Sequence, residues 1–196
     1  MESSLMLVGF WTVYFGLHTL LASNSIKGIL NESVPAIYKH YRIIYNTIST
    51  IGLFGILLFL ATTPSELILT PTTLLKFTGL TFASFGVIFL KLAFKQYSIR
   101  EFLGLKQNDE NTHQLEIGGI LKHVRHPIYT GTILIVAGLF LFVPKLLNLV
   151  TLGCVVAYIL IGIQLEEKKL IKEFGEAYTN YKKKVPMLLP RFESRP

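Results

Sequence analysis

Cysteine is almost absent: Cys154 is the only one, and it lies inside an apolar run. Neither a disulfide framework nor a cysteine-based metal site can be built from it. Charge is also scarce, at 16% of residues against 51% hydrophobic, and the mean hydropathy of +0.51 lies well outside the range of an average soluble domain. The first apolar run follows Glu2 rather than a basic segment, which argues against a cleaved secretory signal, so it reads as a retained membrane helix. No internal repeat or low-complexity tract divides the 196 residues, and they read as a single membrane domain. The net charge of +7 does not point to nucleic acid, because the basic residues flank apolar runs instead of forming a basic face. The partner these features imply is the lipid bilayer.

What is abundant is long apolar sequence. Runs at about residues 4–23, 43–62, 74–94, 128–142 and 146–165 predict five transmembrane helices in an all-α integral membrane protein. Between them, Asn24 to Arg42 is polar and basic, is interrupted by Pro35, and reads as a surface loop. Thr63-Pro64-Ser65-Glu66 and Pro71 mark a short turn without Lys or Arg, and Val143-Pro144-Lys145 is tight enough to make its flanking helices antiparallel neighbours. Of the 19 Lys and Arg, 17 fall on the side of the first loop, the long polar segment from Lys95 to Arg125 and the C-terminus; only Lys76 and Lys145 fall on the other. The positive-inside rule then places the C-terminus in the cytosol and, with five spans, the N-terminus outside, in an inner or plasma membrane.

Polar chemistry gathers at two places on that cytosolic side. In Arg125-His126-Pro127 the proline suits the first residue of the fourth span, which makes His126 its N-cap and points backbone donors and a positive dipole at any anionic group there. Downstream, the last span ends on Glu166 and Glu167 and continues as an amphipathic segment. Leu160, Gln164, Glu167, Ile171, Phe174, Tyr178, Tyr181 and Val185 are spaced as one helical face, and Gly175 weakens the pattern. Glu167 is an acid on that face and requires Arg125, another cation or a cationic ligand. An anion site beside a carboxylate suits a zwitterionic ligand with an additional cationic centre. His18, an ionisable group near the inner end of the first span, stands apart as a candidate functional residue.

Arg125-His126-Pro127-x-Tyr129-x-Gly131, then Glu166-Glu167, then Phe174-Gly175-x-x-Tyr178-x-x-Tyr181-x-x-x-Val185-Pro186-x-x-x-Pro190 resembles the C-terminal signature of the isoprenylcysteine carboxyl methyltransferase and phospholipid methyltransferase superfamily. The likeness extends upstream to Gln107 and to Thr112-His113-Gln114-Leu115. It implies an S-adenosylmethionine-dependent methyltransferase with a cytosolic cofactor pocket formed by about residues 103–131 and 164–192. By position, Gln107, His113, Leu115 and His126 would bind the cofactor, with Arg125, Tyr129, Glu166 and Glu167 beside them. Leu17-His18 through Ser23, Lys27, Tyr41-Arg42 and Tyr45-Asn46 are similar to the methanethiol S-methyltransferase branch.

One departure bears on the acceptor. Isoprenylcysteine enzymes carry an arginine in the last span that holds the substrate carboxylate, whereas Ala157 to Ile163 contains no basic residue, and Leu121 stands where a tyrosine is usual. A small or lipophilic acceptor, a thiol before a prenylcysteine carboxylate, is the expectation. The methyl of a sulfonium is already activated, so no metal is needed. In-line positioning within about 3 to 3.5 Å would supply roughly 7 to 11 kcal/mol at best. A thiol must still lose its proton, and His18 and Glu167 are the candidate catalytic bases. The competing readings are an NADPH-dependent membrane reductase of the sterol-reductase type, which shares the His-Pro and terminal Tyr-Val-Pro pattern, and a non-catalytic membrane protein.

Overall fold

A computed structural model describes residues 1–95 and 115–190. Among them there is no strand, and the chain runs as α1 (Glu2–Ala22), α2 (Asn24–Ser33), α3 (Pro35–Tyr38), α4 (Tyr41–Thr62), α5 (Thr73–Phe94), a 3-10 turn at Gly119–Lys122, α6 (Pro127–Phe142), α7 (Leu146–Phe174) and α8 (Glu176–Lys184). The protein is therefore all-α. Four helices, α1, α4, α5 and α7, are long and apolar enough to cross a bilayer. The fifth, α6, has 16 residues, or roughly 24 Å of rise against a hydrocarbon core of about 30 Å. It completes the bundle by packing against α5 on one side and α7 on the other.

The segment expected as a loop between the first two spans is helical. Ser23 caps α2, its hydroxyl accepting from the Ile26 amide at 3.4 Å, and Pro35 breaks the helix by opening α3. Single polar residues had obscured an amphipathic turn pattern there. The other turns form as expected. Lys145 pairs with Leu67 in an isolated antiparallel bridge, with Ile68 donating to the Pro144 carbonyl at 2.8 Å and Leu146 to the Glu66 carbonyl at 3.0 Å. The α4–α5 turn and the α6–α7 hairpin tip thus lie at the same end of the bundle.

The closest helix pair is α5 with α6, and its cause is glycine. A Cβ built on Gly79 would come within 2.7 Å of the Gly138 carbonyl, and one on Gly86 within 2.6 Å of the Gly131 carbonyl. The two pairs are spaced seven residues apart on each helix, one face of two turns, so the backbones touch along a continuous seam. The main core lies elsewhere, where Leu7 and Trp11 of α1, Ile56 of α4 and Leu147, Val155, Ile159 and Ile163 of α7 cluster, with Met187 and Leu188 of the C-terminal segment packed against them.

This corrects the expected face of α7. The buried row is Val155, Ile159, Ile163 and Glu167, whereas Leu160 and Ile171 are 40% and 39% exposed. In lipid both faces of a span are apolar, so hydrophobicity alone does not mark the packed one. Beyond Gly175, whose φ of 55° and ψ of −124° end α7, Tyr178 and Val185 are buried as anticipated.

The seam generates a stability prediction. Gly138→Ala adds a methyl 2.6 Å from the Gly79 carbonyl and 2.8 Å from the Ala83 amide, whereas Gly153→Ala meets nothing within 4 Å. Gly138→Ala should lower the melting temperature in detergent, by the roughly 1 to 3 kcal/mol typical of overpacking. Gly153→Ala should leave it unchanged or slightly raised. Equal melting of the two variants would mean that the seam does not carry the pair.

Candidate functional site

The site begins with Glu167, whose side chain is 7% exposed at the end of the apolar row of α7. A carboxylate so placed needs compensating charge and donors, and three segments deliver them. Arg125 reaches Glu167 Oε1 through Nη2 at 2.8 Å and Nε at 3.0 Å. His126 Nε2 lies 3.2 Å from the same oxygen. Lys182, from α8, pairs with Oε2. Glu166, more exposed, stands 3.7 Å from His126 Nδ1.

Arg125 does a second thing with its remaining donors. Its Nη1 donates to the carbonyls of Lys182 at 2.8 Å and Val185 at 2.7 Å, and its backbone amide donates to the Pro186 carbonyl at 2.9 Å. The His126 amide donates to the Met187 carbonyl at 3.2 Å, and the Thr130 hydroxyl donates to the Leu188 carbonyl at 2.8 Å. The Tyr181 hydroxyl donates to the Leu121 carbonyl at 2.7 Å. The C-terminal segment is thereby fastened along the Arg-His-Pro motif, with Met187 and Leu188 directed into the core.

Pro127 opens α6 as expected and His126 is its N-cap residue, although the imidazole makes no capping bond and turns to the two glutamates instead. Tyr129 stacks on the His126 ring at 5.6 Å between centroids. The Tyr178 side chain is fully buried, and its hydroxyl has no hydrogen-bond partner among the described residues. Burial, and next the Glu167 carboxylate, push its phenol well above the usual range. This is an unpartnered polar atom beside the ion cluster.

Of the residues anticipated from sequence, Arg125, His126, Tyr129, Glu166 and Glu167 come together. Leu115 is half-buried in a stretch without regular secondary structure that leads to the 3-10 turn. Gln107 and His113 lie outside the described residues. His18 is not part of this cluster: Nε2 is 2.8 Å from the Tyr45 hydroxyl and Nδ1 is 3.3 Å from Ser49 Oγ. Tyr158 of α7, whose ring is 6.4 Å from that of His18, precedes Glu167 by nine residues, or about 13 Å of helix. The two candidate bases therefore occupy different levels of the bundle. Lys182 was not foreseen, because its approach to Glu167 depends on the turn at Gly175, and no local spacing encodes that. Among the described residues no group of His, Cys, Asp and Glu is arranged to hold a metal.

Comparison with known proteins bears on what such a cluster belongs to. The chain is 34% identical over 105 residues to the methanethiol S-methyltransferase of Crocosphaera subtropica, covering 52% of this chain and 40% of that protein. It is 44% identical over 79 residues to that of Pseudomonas deceptionensis, covering 39% of this chain and 29% of that protein. It is 37% identical over 109 residues to methanethiol S-methyltransferase 2 of Bradyrhizobium diazoefficiens, covering 48% of this chain and 39% of that protein. The chain thus spans less than half the length of these curated relatives. No solved structure matches it. The phospholipid methyltransferase family model matches residues 74–177, more than half of the chain and the stretch that carries the α5–α6 seam, the Arg-His-Pro motif and both glutamates. The chain belongs to the phospholipid methyltransferase family.

Proposed function

We propose that the protein is an S-adenosylmethionine-dependent membrane methyltransferase whose acceptor is a small or lipophilic thiol. The observation that carries this reading is the convergence of His126, Glu166 and Glu167 with Arg125 and Lys182 at one end of the bundle, within the region that matches the family. S-adenosylmethionine brings a methyl already activated on a sulfonium. The donor set suits such a zwitterion with an extra cation: carboxylates for the positive centres, and cations and the α6 N-terminus for an anionic group. His126, Tyr129 and Glu166 would hold it, joined by Leu115 and, from the segment outside the described residues, Gln107 and His113. The buried, unpartnered hydroxyl of Tyr178 supports a ligand-binding role for this corner.

Both oxygens of Glu167 are engaged by cations, which makes its carboxylate a poor base and a good positioning group. In this reading His18 takes the proton of a thiol that enters from the membrane side. No Lys or Arg lies between Leu149 and Leu165, so a carboxylate acceptor brought beside α7 would be buried without a charged partner at a cost of several kcal/mol, whereas a thiol would not. The thiol named in the relatives' activity agrees with this preference. The arrangement of cations supports a cytosolic site, with the N-terminus outside.

The test is methyl transfer by purified protein in lipid, with labelled S-adenosylmethionine and three acceptors: a small alkyl thiol, a farnesylcysteine analogue and phosphatidylethanolamine. Labelled thioether should form fastest, and His18→Ala should slow it by the roughly 10²- to 10⁴-fold contributed by a general base. Base-labile ester on the farnesylcysteine analogue without thioether would overturn the thiol assignment. Stabilisation by NADPH and not by S-adenosylhomocysteine would favour the reductase reading. The orientation is checked in intact cells of a Cys154→Ser variant carrying Lys145→Cys or Lys183→Cys. An impermeant maleimide should label only position 145, and equal labelling at both would refute the topology.

A further inference from the structure

Helix α4 is almost unburied by protein, with only Tyr41 and Ile56 of its 22 residues buried. Between it and α1 runs an open groove of about 760 Å³, lined by Gly9, Val13 and Leu17 of α1 and by Gly52, Gly55 and Ile56 of α4. It extends from Met6 to Leu21, roughly 22 Å along the helix axis. Its walls are apolar apart from the inner end, where His18 and Ser49 are bonded to each other. A Cβ built on Gly9 or Gly55 meets nothing within 4 Å, so the groove has room for a chain.

At that inner end the protein gathers cations. Leu21, the last groove residue of α1, accepts a hydrogen bond from the Tyr41 hydroxyl, which brings the start of α4 and the adjacent Arg42 to the mouth. Lys27, on α2 just beyond Leu21, is half-buried. Its ammonium is held below its ordinary range by burial and then by the nearby charges of Arg42 and Lys169. The ion pairs of Arg125, His126 and Lys182 with the two glutamates of α7 leave these three cations out. Three like charges from α2, α4 and α7 that act on one another repel, and an anion joining them relieves that repulsion.

We infer that the α1–α4 groove and the Lys27, Arg42 and Lys169 cluster together form a binding site for one anionic phospholipid, with an acyl chain along the groove and the headgroup phosphate on the cations. The two halves match the two parts of such a molecule at the level where headgroups lie. A second copy of this chain fits less well, because it would bring the same three cations to the same end. The groove shares His18 with the proposed acceptor route, but a phosphatidylglycerol headgroup offers no thiol or amine to methylate, so the lipid is bound there without being a substrate.

Native mass spectrometry of the purified full chain measures this with phosphatidylglycerol, phosphatidylcholine of identical chains, and glycerol 3-phosphate. Phosphatidylglycerol should bind at least tenfold more tightly than phosphatidylcholine, because its net negative headgroup meets several interfacial cations at once. The double substitution Lys27→Gln with Arg42→Gln should bring the two lipids to equal affinity. Gly55→Leu and, separately, Gly9→Leu, which fill open space, should weaken both lipids while keeping their ratio. Glycerol 3-phosphate should not displace phosphatidylglycerol. Equal affinity of the two lipids for the unaltered protein would overturn the proposal, as would a preference that survives the double substitution. Displacement by glycerol 3-phosphate as effective as by the whole lipid would remove the groove from it.

Discussion

A carboxylate at the end of an apolar helix row is the constraint on which one end of this helix bundle depends. Glu167 continues the line of Val155, Ile159 and Ile163 and is buried as they are. An ionised acid in that position costs several kcal/mol unless charge and hydrogen bonds meet it. Meeting it requires Arg125 and His126 from the start of α6 and Lys182 from α8, and drawing those residues in fixes where the chain runs. Arg125 then has donors left over, and they hold the carbonyls of Lys182 and Val185. One electrostatic demand thus orders the terminal segment, which in turn places Met187 and Leu188 against the core.

Above this corner the scaffold is held by different physics. Water gives no drive for helices to associate within lipid, and close backbone contact does the work at Gly79, Gly86, Gly131 and Gly138. Gly131 belongs to both regions, four residues after Pro127 and in contact with Gly86. The seam therefore fixes the position and rotation of α6, and with them the direction in which Arg125 and His126 leave its N-terminus. Packing along the spans and the ion cluster at their end are linked through a few residues of one short helix.

Sequence patterns reveal some of this and not the rest, for physical reasons. The spans are legible because an apolar run in lipid must satisfy its backbone internally and so must be helical. Pro127 at the start of α6 and the break at Gly175 are legible because each residue has a restricted or special backbone preference. The packed face of α7 is not: Ile159 and Leu160 are equally apolar, and only the neighbouring helices decide which is covered. The link from Lys182 to Glu167 is hidden for another reason, since it closes only after Gly175 has turned α8 back. Helix α2 was missed because a polar segment beside a membrane is helical when one side meets the interface, which composition averaged over the segment does not reveal. His18 stands out in the sequence as an ionisable group in a span, but its hydrogen bonds to Tyr45 and Ser49 belong to a level of the bundle that linear order does not assign.

The central claim is that Arg125 and Glu167 act as one unit in ordering the terminal segment. A double-mutant cycle of Arg125→Met and Glu167→Gln, read by the melting temperature and by limited proteolysis within residues 182–190, measures that coupling directly. Each single substitution should destabilise the protein and expose the segment to protease. The pair together should cost less than the sum by about 1 to 3 kcal/mol, because neither charge is then left alone. Additive effects within about 0.5 kcal/mol, or a terminal segment equally protected in all four proteins, would contradict the account.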